Sequence, residues 1–429
     1  MNVRESWDRW YVLAVMTIVY SLSIADRFSI STVIEPIRLE LHLSDSGVAF
    51  LSGSALALFY VTIGIPIALL ADKANRRNIV VLSLALWSGM TALCGLAQNY
   101  IQLMLARFGV GIGEAGGTPP AISILADKFV PEKRPMAFTI FALGACIGSW
   151  LGSAVAGDVA QRGGWRAAFL ALGIPGLLVA LLVRLTIKEP RRGQLDRPTT
   201  DSPPSSIVAT LRYVAKHRSA LHLLLGGSVA TFWSWGLMWW IPTFLVRTYH
   251  MTVGQAGELL GPMHLFAGTA ATLLASWLVG RPAAADPRYI TRLLTWVTAL
   301  TTLPSVWMLW TDSFVVTRWL LWIFVPSVYF YIGPILGLLA NVVPARMRAT
   351  TVSLLLFAAN FANLVIAPQL IGLISDAFQL LLHASKADAL QWGLLLLAPT
   401  GFWAAGHLAA ATRSIVADEA AASTGLARP

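Results

Sequence analysis

Apolar runs of about 20 residues recur along the whole chain, and each is long enough for a helix to cross a bilayer. Only 12% of the residues are charged and 56% are hydrophobic, which lies outside the usual composition of soluble domains. We therefore expect an all-α membrane protein with twelve transmembrane helices, called spans 1 to 12 below. The predicted spans are 11–34, 47–71, 78–97, 100–121, 136–158, 166–186, 220–246, 253–279, 289–310, 314–340, 350–372 and 391–412.

The basic residues predict how the spans are oriented. They are concentrated in the connections on one side, and seven of them fall in 188–219 alone. Because cytoplasmic connections carry excess Lys and Arg, both termini are expected in the cytoplasm of a multi-pass protein. The same bias explains most of the net charge of +10, so we expect no nucleic-acid partner.

A long Pro-rich connection divides the chain into halves. It covers 188–219 and separates a predicted six-helix bundle at 1–187 from a second at 220–412, which a tail at 413–429 follows. Short basic connections at 131–138 and 344–351 open the fifth span of each half, as in a diverged duplication. Two pseudo-symmetric bundles around a central cavity form a transporter architecture.

The second part of this connection has the pattern of a short amphipathic helix. Apolar residues recur there at helical spacing, with basic residues beside them. The apolar residues are Ile207, Val208, Leu211 and Val214, and the basic ones are Arg212, Lys216 and Arg218. A surface helix lying on an anionic leaflet has this pattern. An ordinary solvated linker near the membrane is the alternative.

Span 4 carries two ionisable residues where a bilayer would enclose them. Arg107 and Glu114 lie in the stretch 103–120. One charged side chain at a helix centre costs roughly 2.5 to 3.5 kcal/mol or more, so such residues usually face partners, water or substrate. Seven residues bring the chain back to nearly the same helix face, so both side chains can face one cavity.

Span 1 carries Asp26 and Arg27 at a comparable depth. Counting about 1.5 Å of rise per residue, Asp26 and Arg107 both lie about 5 to 6 Å to the outer side of their span centres. The functional interpretation is a switch in which an anionic substrate takes Arg107 and the freed carboxylate binds a proton. A static ion pair that fixes spans 1 and 4 is the alternative.

A charged connection follows span 2. Its sequence, ALLADKANRR at 68–77, predicts a cytoplasmic gate in which Asp72 pairs with Arg76 and faces a helix N-terminus. The predicted gate residues are Asp72, Lys73, Arg76, Arg77 and Arg134. A solvated charge cluster that follows the orientation bias is the alternative.

The second half offers mainly aromatic and neutral polar side chains at membrane depth. A charged first half and an aromatic second half would suit an amphiphile with one ionic end and one long tail. Packing or an interfacial belt is the alternative for most of the aromatic residues. The candidate substrate-binding residues are Arg27, Arg107, Glu114, Asn360, Asn363, Tyr329 and Trp233, and the candidate proton-coupling residues are Asp26 and Glu114.

The Asp26–Arg27 pair, the ARFGVGIGEAG segment of span 4 and the ADKANRR connection resemble the Spinster branch of the major facilitator superfamily, most closely its bacterial members. Small residues, Ala68 and Asn75, replace two Gly of the connection signature. The resemblance implies the major facilitator fold and transport of lysolipids or sphingoid phosphates. It also implies that Asp26, Arg27, Arg107 and Glu114 act in substrate and proton coupling.

We expect a secondary transporter of an anionic amphiphile that works by alternating access, coupled to protons, in a bacterial inner membrane. A proton-coupled symporter of small organic anions and a non-transporting membrane receptor are the alternatives. No HExxH or GxSxG motif is present, so we expect no enzyme. Beyond a proton gradient we expect no cofactor or metal, and we expect a monomer.

Overall fold

The computed structural model describes residues 3–130, 133–191, 195 and 206–424. Nearly all of these residues are helical, and no strand occurs in these ranges. The first six spans begin and end as follows. Span 1 is Val3–Thr32, span 2 is Asp45–Ala49 with Phe50–Ser54 and Ala55–Lys73, span 3 is Arg76–Cys94, and span 4 is Tyr100–Glu114 with Thr118–Lys128. Spans 5 and 6 comprise Arg134–Ala142, Gly144–Trp150, Leu151–Val155 and Ala156–Thr186, and a short helix, Ile34–Glu40, follows span 1.

The later spans follow the linker helix, Ile207–Lys216. Span 7 is Arg218–Thr248, span 8 is Val253–Pro262 with Met263–Gly268 and Thr269–Val279, and span 9 is Pro287–Trp310. Span 10 is Phe314–Ser327 with Ile332–Asn341, span 11 is Arg348–Asn360 with Phe361–Ile366 and Ala367–Leu382, and span 12 is Lys386–Leu397 with Thr400–Thr424. The predicted tail at 413–429 therefore continues span 12 as far as Thr424, and its last five residues lie outside the described ranges.

Within the described ranges, nine helical stretches are long and apolar enough to cross a membrane. One of them, Arg134–Thr186, contains both span 5 and span 6, which run together through Gly164 at a φ of 79°. Spans 2 and 4 are not among the nine, and the side chains of several residues in the second part of span 2 lie outside what the structure describes. The nine stretches therefore contain ten of the predicted spans, and spans 2 and 4 complete the twelve.

The chain divides into two compact units. Unit 1 contains the described residues of Met1–Pro198 together with Trp239–Phe266 and Ser375–Ala387, and unit 2 contains the remainder. Parts of spans 7, 8 and 11 thus belong to the same unit as spans 1 to 6. The predicted division at 188–219 stays a prediction.

Regularly spaced glycines in span 5 allow it to pack closely against span 1 in unit 1. A Cβ added at Gly148 would lie 2.3 Å from the Ser21 carbonyl oxygen, and one added at Gly152 would lie 2.4 Å from the Ala25 carbonyl oxygen. The four-residue spacing of these positions puts them on one face of the helix, as the sequence predicts. The Thr32 hydroxyl also donates to the Gly152 carbonyl oxygen at 3.0 Å. This contact fixes the part of span 1 that carries Asp26 and Arg27.

Wider helical turns occur at one place in each of four spans. These π-helical segments are Phe50–Ser54, Leu151–Val155, Met263–Gly268 and Phe361–Ile366. They lie in spans 2, 5, 8 and 11, so each is in the second of three successive spans. Such segments break the regular hydrogen-bond ladder and often mark functional sites. Their recurrence at this position agrees with the duplication that the sequence suggests.

Candidate functional site

The Asp26 carboxylate is buried between spans 1, 3 and 4. It accepts hydrogen bonds from Arg107 Nη1 at 2.9 Å and from the Thr91 hydroxyl at 2.6 Å. Asp26 is 2% exposed and Arg107 is fully enclosed. The two residues predicted to share a level in the membrane therefore form a direct ion pair.

Glu114 pairs with the other arginine. Arg27 Nε lies 2.7 Å and Arg27 Nη2 lies 2.6 Å from the same carboxylate oxygen, Glu114 Oε2. Although Asp26 and Arg27 are adjacent in sequence, each pairs with a different residue of span 4. Spans 1 and 4 are thus joined by two ion pairs, which we call the paired charges: Asp26–Arg107 and Arg27–Glu114.

The paired charges leave hydrogen-bonding capacity unused. Among the described residues, Arg107 Nε, Arg107 Nη2 and Glu114 Oε1 are buried without a hydrogen-bond partner. A buried polar group without a partner costs about 1 to 3 kcal/mol, and more when it is charged. A static fastening between two helices would be expected to satisfy these atoms. The arrangement therefore suits an exchange of partners better than it suits maximal stability.

Local sequence fixes the position of span 4. A Cβ added at Gly111 would lie 2.3 Å from the Leu56 carbonyl oxygen, and one added at Gly113 would lie 2.5 Å from the Trp87 backbone nitrogen. The first helix of span 4 ends at Glu114, and Thr118–Lys128 begins a new helix with Pro at its start. Close packing against spans 2 and 3 therefore holds Arg107, whereas Glu114 lies at a helix break.

A second charged group surrounds Arg76, and it differs from the predicted gate. Arg76 Nη1 lies 2.5 Å from Asp127 Oδ2, and Arg76 Nε lies 2.7 Å from Glu189 Oε1. Arg76 also donates to Ser123 and to the Pro190 carbonyl oxygen. We call Arg76, Asp127 and Glu189 the Arg76 cluster. It joins the start of span 3 to the ends of spans 4 and 6.

The other predicted gate residues have different surroundings. Arg77 donates from its backbone nitrogen to Glu189 at 2.8 Å, and Arg134 donates to the Ala126 and Phe129 carbonyl oxygens. The side chains of Asp72 and Lys73 lie outside what the structure describes. The predicted pairing of Asp72 with Arg76 therefore stays a prediction, whereas Arg76 is observed with Asp127 and Glu189.

A third charged group lies just after the C-terminal end of span 1, and sequence reasoning missed it. Arg247 at the end of span 7 donates to both Asp45 oxygens, at 2.8 and 2.6 Å, and its Nε lies 2.8 Å from Glu35 Oε2. Arg38 donates to the same Glu35 carboxylate at 3.0 and 2.6 Å. We call Glu35, Arg38, Asp45 and Arg247 the Arg247 cluster. All four residues are nine-tenths buried or more.

The Arg247 cluster extends to span 11 within unit 1. The Ser375 hydroxyl donates to Asp45 Oδ2 at 2.6 Å, and the Gln379 amide donates to the same oxygen at 3.2 Å. Asp376 accepts from the backbone nitrogens of Asp45 and Ser46, both at 2.9 Å, and so caps the start of span 2. The ends of spans 1, 2, 7 and 11 are therefore fastened together.

The Glu35 carboxylate, which lies between spans 1 and 2, is stabilised in its ionised form. Burial alone would raise the pKa of Glu35, but hydrogen bonds and charge from Arg38 and Arg247 bring its pKa below the ordinary value.

The cluster was not predicted because its residues lie at span ends, where charges are common. Glu35 and Arg38 precede span 2, and Arg247 is one of the few basic residues on the predicted outer side. One signal was available. Arg247 lies among apolar and aromatic residues at the end of a predicted span. It is on the predicted outer side, where the orientation rule gives no reason for a basic residue.

The candidate residues of the second half are described within unit 2. Trp233 is 1% exposed, donates from Nε1 to the Ser305 hydroxyl at 3.1 Å and packs edge-on against Phe324. These surroundings favour the packing alternative for this residue. Tyr329 contacts Trp235 in an edge-to-face arrangement with ring centroids 5.6 Å apart.

The two candidate asparagines of span 11 differ in exposure. Asn360 is partly accessible and donates to the Leu356 carbonyl oxygen, within its own helix, at 2.9 Å. Asn363, at the wide turn of this span, is 8% exposed. Their roles in substrate binding stay predictions.

The family model described as Major Facilitator Superfamily matches residues 16–368. The chain belongs to this superfamily. The predicted superfamily, its helical membrane fold and the expectation that the protein is a transporter rather than an enzyme are confirmed.

Individual members of the superfamily show which of its proteins this chain resembles. An MFS-type efflux pump of Mycolicibacterium smegmatis is 30% identical over 397 residues, which cover 90% of this chain and 89% of that protein. Human protein spinster homolog 1 is 29% identical over 245 residues, covering 55% of this chain and 46% of that protein. The matched segment is thus less than half of the human relative.

Solved structures extend this likeness over the whole chain. Two crystal structures of a bacterial homolog to the human lysosomal transporter Spinster, both inward-facing, have TM-scores of 0.81. The unoccupied structure is 27% identical and covers 97% of this chain and 99% of its own. The occupied structure is 29% identical and covers 96% of this chain and 98% of its own. Spinster proteins, the branch expected from the sequence, are therefore among the relatives.

Proposed function

We propose that this chain is a secondary active transporter that moves an anionic amphiphile, of the lysophospholipid or sphingoid phosphate type, by alternating access coupled to protons. The observation that carries the proposal is the paired charges, the two buried ion pairs between spans 1 and 4. Arg107 retains two buried donors that no described residue uses. A phosphate group presents several acceptor oxygens, and a guanidinium binds such a group through two parallel hydrogen bonds.

Relatives support the substrate class. The sphingosine-1-phosphate transporter of Danio rerio is 29% identical over 231 residues, which cover 53% of this chain and 45% of that protein. Its substrate, by its name, has one phosphate end and one long apolar tail. The phosphate end of such a substrate suits Arg27 and Arg107, the two arginines of the paired charges.

The paired charges provide a way to couple substrate and proton. When an anion binds Arg107, Asp26 loses its cationic partner but stays buried, with only the Thr91 hydroxyl as a donor. A buried carboxylate without a counter-charge favours the neutral form, so a proton binds. Glu114, which is held by Arg27 at a helix break, would serve as the second proton site.

The two outer groups would act as alternating gates. We assign the Arg247 cluster to the periplasmic side and the Arg76 cluster, with the predicted Asp72, to the cytoplasmic side of a bacterial inner membrane. Each must open once per cycle. Both termini would be cytoplasmic and the protein would work as a monomer, with no cofactor beyond the proton gradient.

Vesicles that contain the purified protein test this function. Long-chain lysolipids or sphingoid phosphates should be transported when a proton gradient is imposed, and the thermal unfolding temperature of the protein should rise in their presence. Short organic anions should compete weakly. Strong competition by short carboxylates with none by long-chain phosphates would favour the symporter of small organic anions instead.

A further inference from the structure

The linker helix, Ile207–Lys216, belongs to unit 2 and packs one face against the rest of that unit. Val214 lies in the core of this unit, where buried neighbours include Leu338 and Val342. The Tyr213 hydroxyl donates to the Val342 carbonyl oxygen at 3.4 Å, and Thr210 is fully enclosed. The side chain of Ser206 caps the first turn by accepting from the Ala209 backbone nitrogen. The helix is therefore fixed on the bundle.

The segment after the helix is fastened as well. His217 stacks on Tyr213 with ring centroids 3.8 Å apart. Ser219 donates from its backbone nitrogen and its hydroxyl to Asp418 of span 12, at 3.0 and 2.8 Å. The linker helix is thus held at both its side and its end. Its orientation does not depend on whatever contacts its free face.

The free face of the linker helix is apolar. Ile207, Val208 and Leu211 are 59%, 56% and 47% exposed. At about 100° of rotation per residue these side chains cover one continuous arc of the helix, next to the arc that contacts unit 2. Three large apolar side chains on a helix that is already docked would be costly to leave in water.

A basic arc borders the apolar one. Arg212 and Lys216 follow it around the helix, Arg218 begins span 7, and all three side chains are exposed. Helices that lie in the bilayer interface have this order: an apolar arc that enters the acyl boundary and basic residues at its edge. Each Lys or Arg near an anionic leaflet contributes about as much as a fivefold change in occupancy.

From this arrangement we propose that the apolar arc of Ile207, Val208 and Leu211, with Arg212, Lys216 and Arg218, is a docking surface for anionic phospholipids of the surrounding leaflet. The basic edge favours anionic over neutral lipid by charge complementarity, and its place beside an apolar arc is the pattern of helices that lie in a bilayer interface. The surface is separate from the paired charges, so the inference does not depend on the proposed function.

Quenching of a fluorescent label tests this surface in the full chain. Cys94 and Cys146 are fully buried, so Val208→Cys can be labelled selectively with a fluorophore. The protein is placed in bilayers that contain nitroxide-labelled phosphatidylglycerol or, at the same fraction, nitroxide-labelled phosphatidylcholine. Leu178→Cys, which is 64% exposed in the middle of span 6, provides a control label in the apolar zone.

We expect the anionic quencher to act several-fold more strongly than the zwitterionic one at position 208 and equally at position 178. Arg212→Gln or Lys216→Gln should lower the ratio at 208 by up to about fivefold. Arg162→Gln, which removes one exposed charge elsewhere, should leave the ratio unchanged. Equal quenching by both lipids at position 208, or none by either, would overturn the proposal, the second result pointing to water or a protein partner.

Discussion

Arg247 and Asp45 are joined by two parallel hydrogen bonds of 2.8 and 2.6 Å, although 202 residues separate them in sequence. The pair brings the end of span 7 to the start of span 2. Glu35 and Ser375 also contact this pair, so the Arg247 guanidinium connects the ends of four spans of unit 1. The paired charges between spans 1 and 4 lack this completeness, since three of their atoms have no partner among the described residues. The Arg247 cluster is therefore the more completely hydrogen-bonded of the two groups, as expected of a gate in its closed state.

Replacing Arg247 should release the fastened ends. Arg247→Gln leaves Asp45 and Glu35 buried with one cation fewer, and removing one partner of a buried pair typically costs 3 to 5 kcal/mol. Part of that cost is avoided if the spans separate and water reaches the carboxylates. The measurement is the labelling rate of Val48→Cys, a fully buried position at the start of span 2, with a membrane-impermeant maleimide.

Labelling should be at least about tenfold faster in Arg247→Gln than in the otherwise unchanged protein. Arg162→Gln removes an exposed arginine that pairs with Asp158 four residues earlier, so it provides the matched control and should leave the rate unchanged. An unaltered rate in Arg247→Gln would show that the cluster does not hold the spans together.

The same labelling reaction should be insensitive to pH near neutrality. Since the folded-state pKa of Glu35 is lowered, its stabilising contribution is fully present above the unfolded-state value of about 4.3. It is lost only as the pH falls through the lowered folded-state value. We therefore expect a constant Val48→Cys labelling rate from about pH 8 to about pH 5, after correction for the reactivity of the thiol itself. An increase between these limits would assign a protonation switch to this cluster.

Packing of span 5 on span 1 should be sensitive to a single methyl group. In Gly152→Ala the new Cβ would meet the Ala25 carbonyl oxygen at 2.4 Å, so the helices must separate. Overpacking of this kind costs about 1 to 3 kcal/mol. Thermal unfolding in detergent should therefore occur at a lower temperature.

Gly337→Ala is the matched control, since a Cβ there meets nothing within 4 Å. It should be neutral or stabilising by up to about 1 kcal/mol, because Ala favours helix over Gly. Equal unfolding temperatures for the two variants would contradict the close approach of spans 1 and 5.

Asp127, which sequence analysis did not identify, should be needed for the Arg76 cluster. Arg76 shares its guanidinium between Asp127 and Glu189, and Asp127 is 5% exposed. Asp127→Asn should therefore lower both the unfolding temperature and the transport rate. Asp158→Asn, whose carboxylate is exposed, should change neither. If only Asp72→Asn impaired transport, the predicted pairing with Asp72 would describe the cytoplasmic gate better.

Periodicity and depth counting predicted the spans and the shared level of Asp26 and Arg107, because helix rise and apolar length are set by local chemistry. They could not predict that Arg27 reaches Glu114, since that depends on how spans 1 and 4 pack against each other. The partners of Arg76 were missed for a similar reason. Asp127 and Glu189 lie 51 and 113 residues further along the chain, where no local pattern connects them. The Arg247 cluster joins four span ends, which only the tertiary structure brings together.

Proton-driven transport by Asp26→Asn in reconstituted vesicles tests the central claim most directly. The amide is similar in shape to the carboxylate and its single oxygen can accept from Arg107 or from Thr91, but it carries no charge and cannot bind a proton at neutral pH. We expect the variant to fold, to exchange substrate across the membrane when no gradient is applied, and to lose accumulation driven by a proton gradient. Undiminished gradient-driven accumulation in Asp26→Asn would contradict the account.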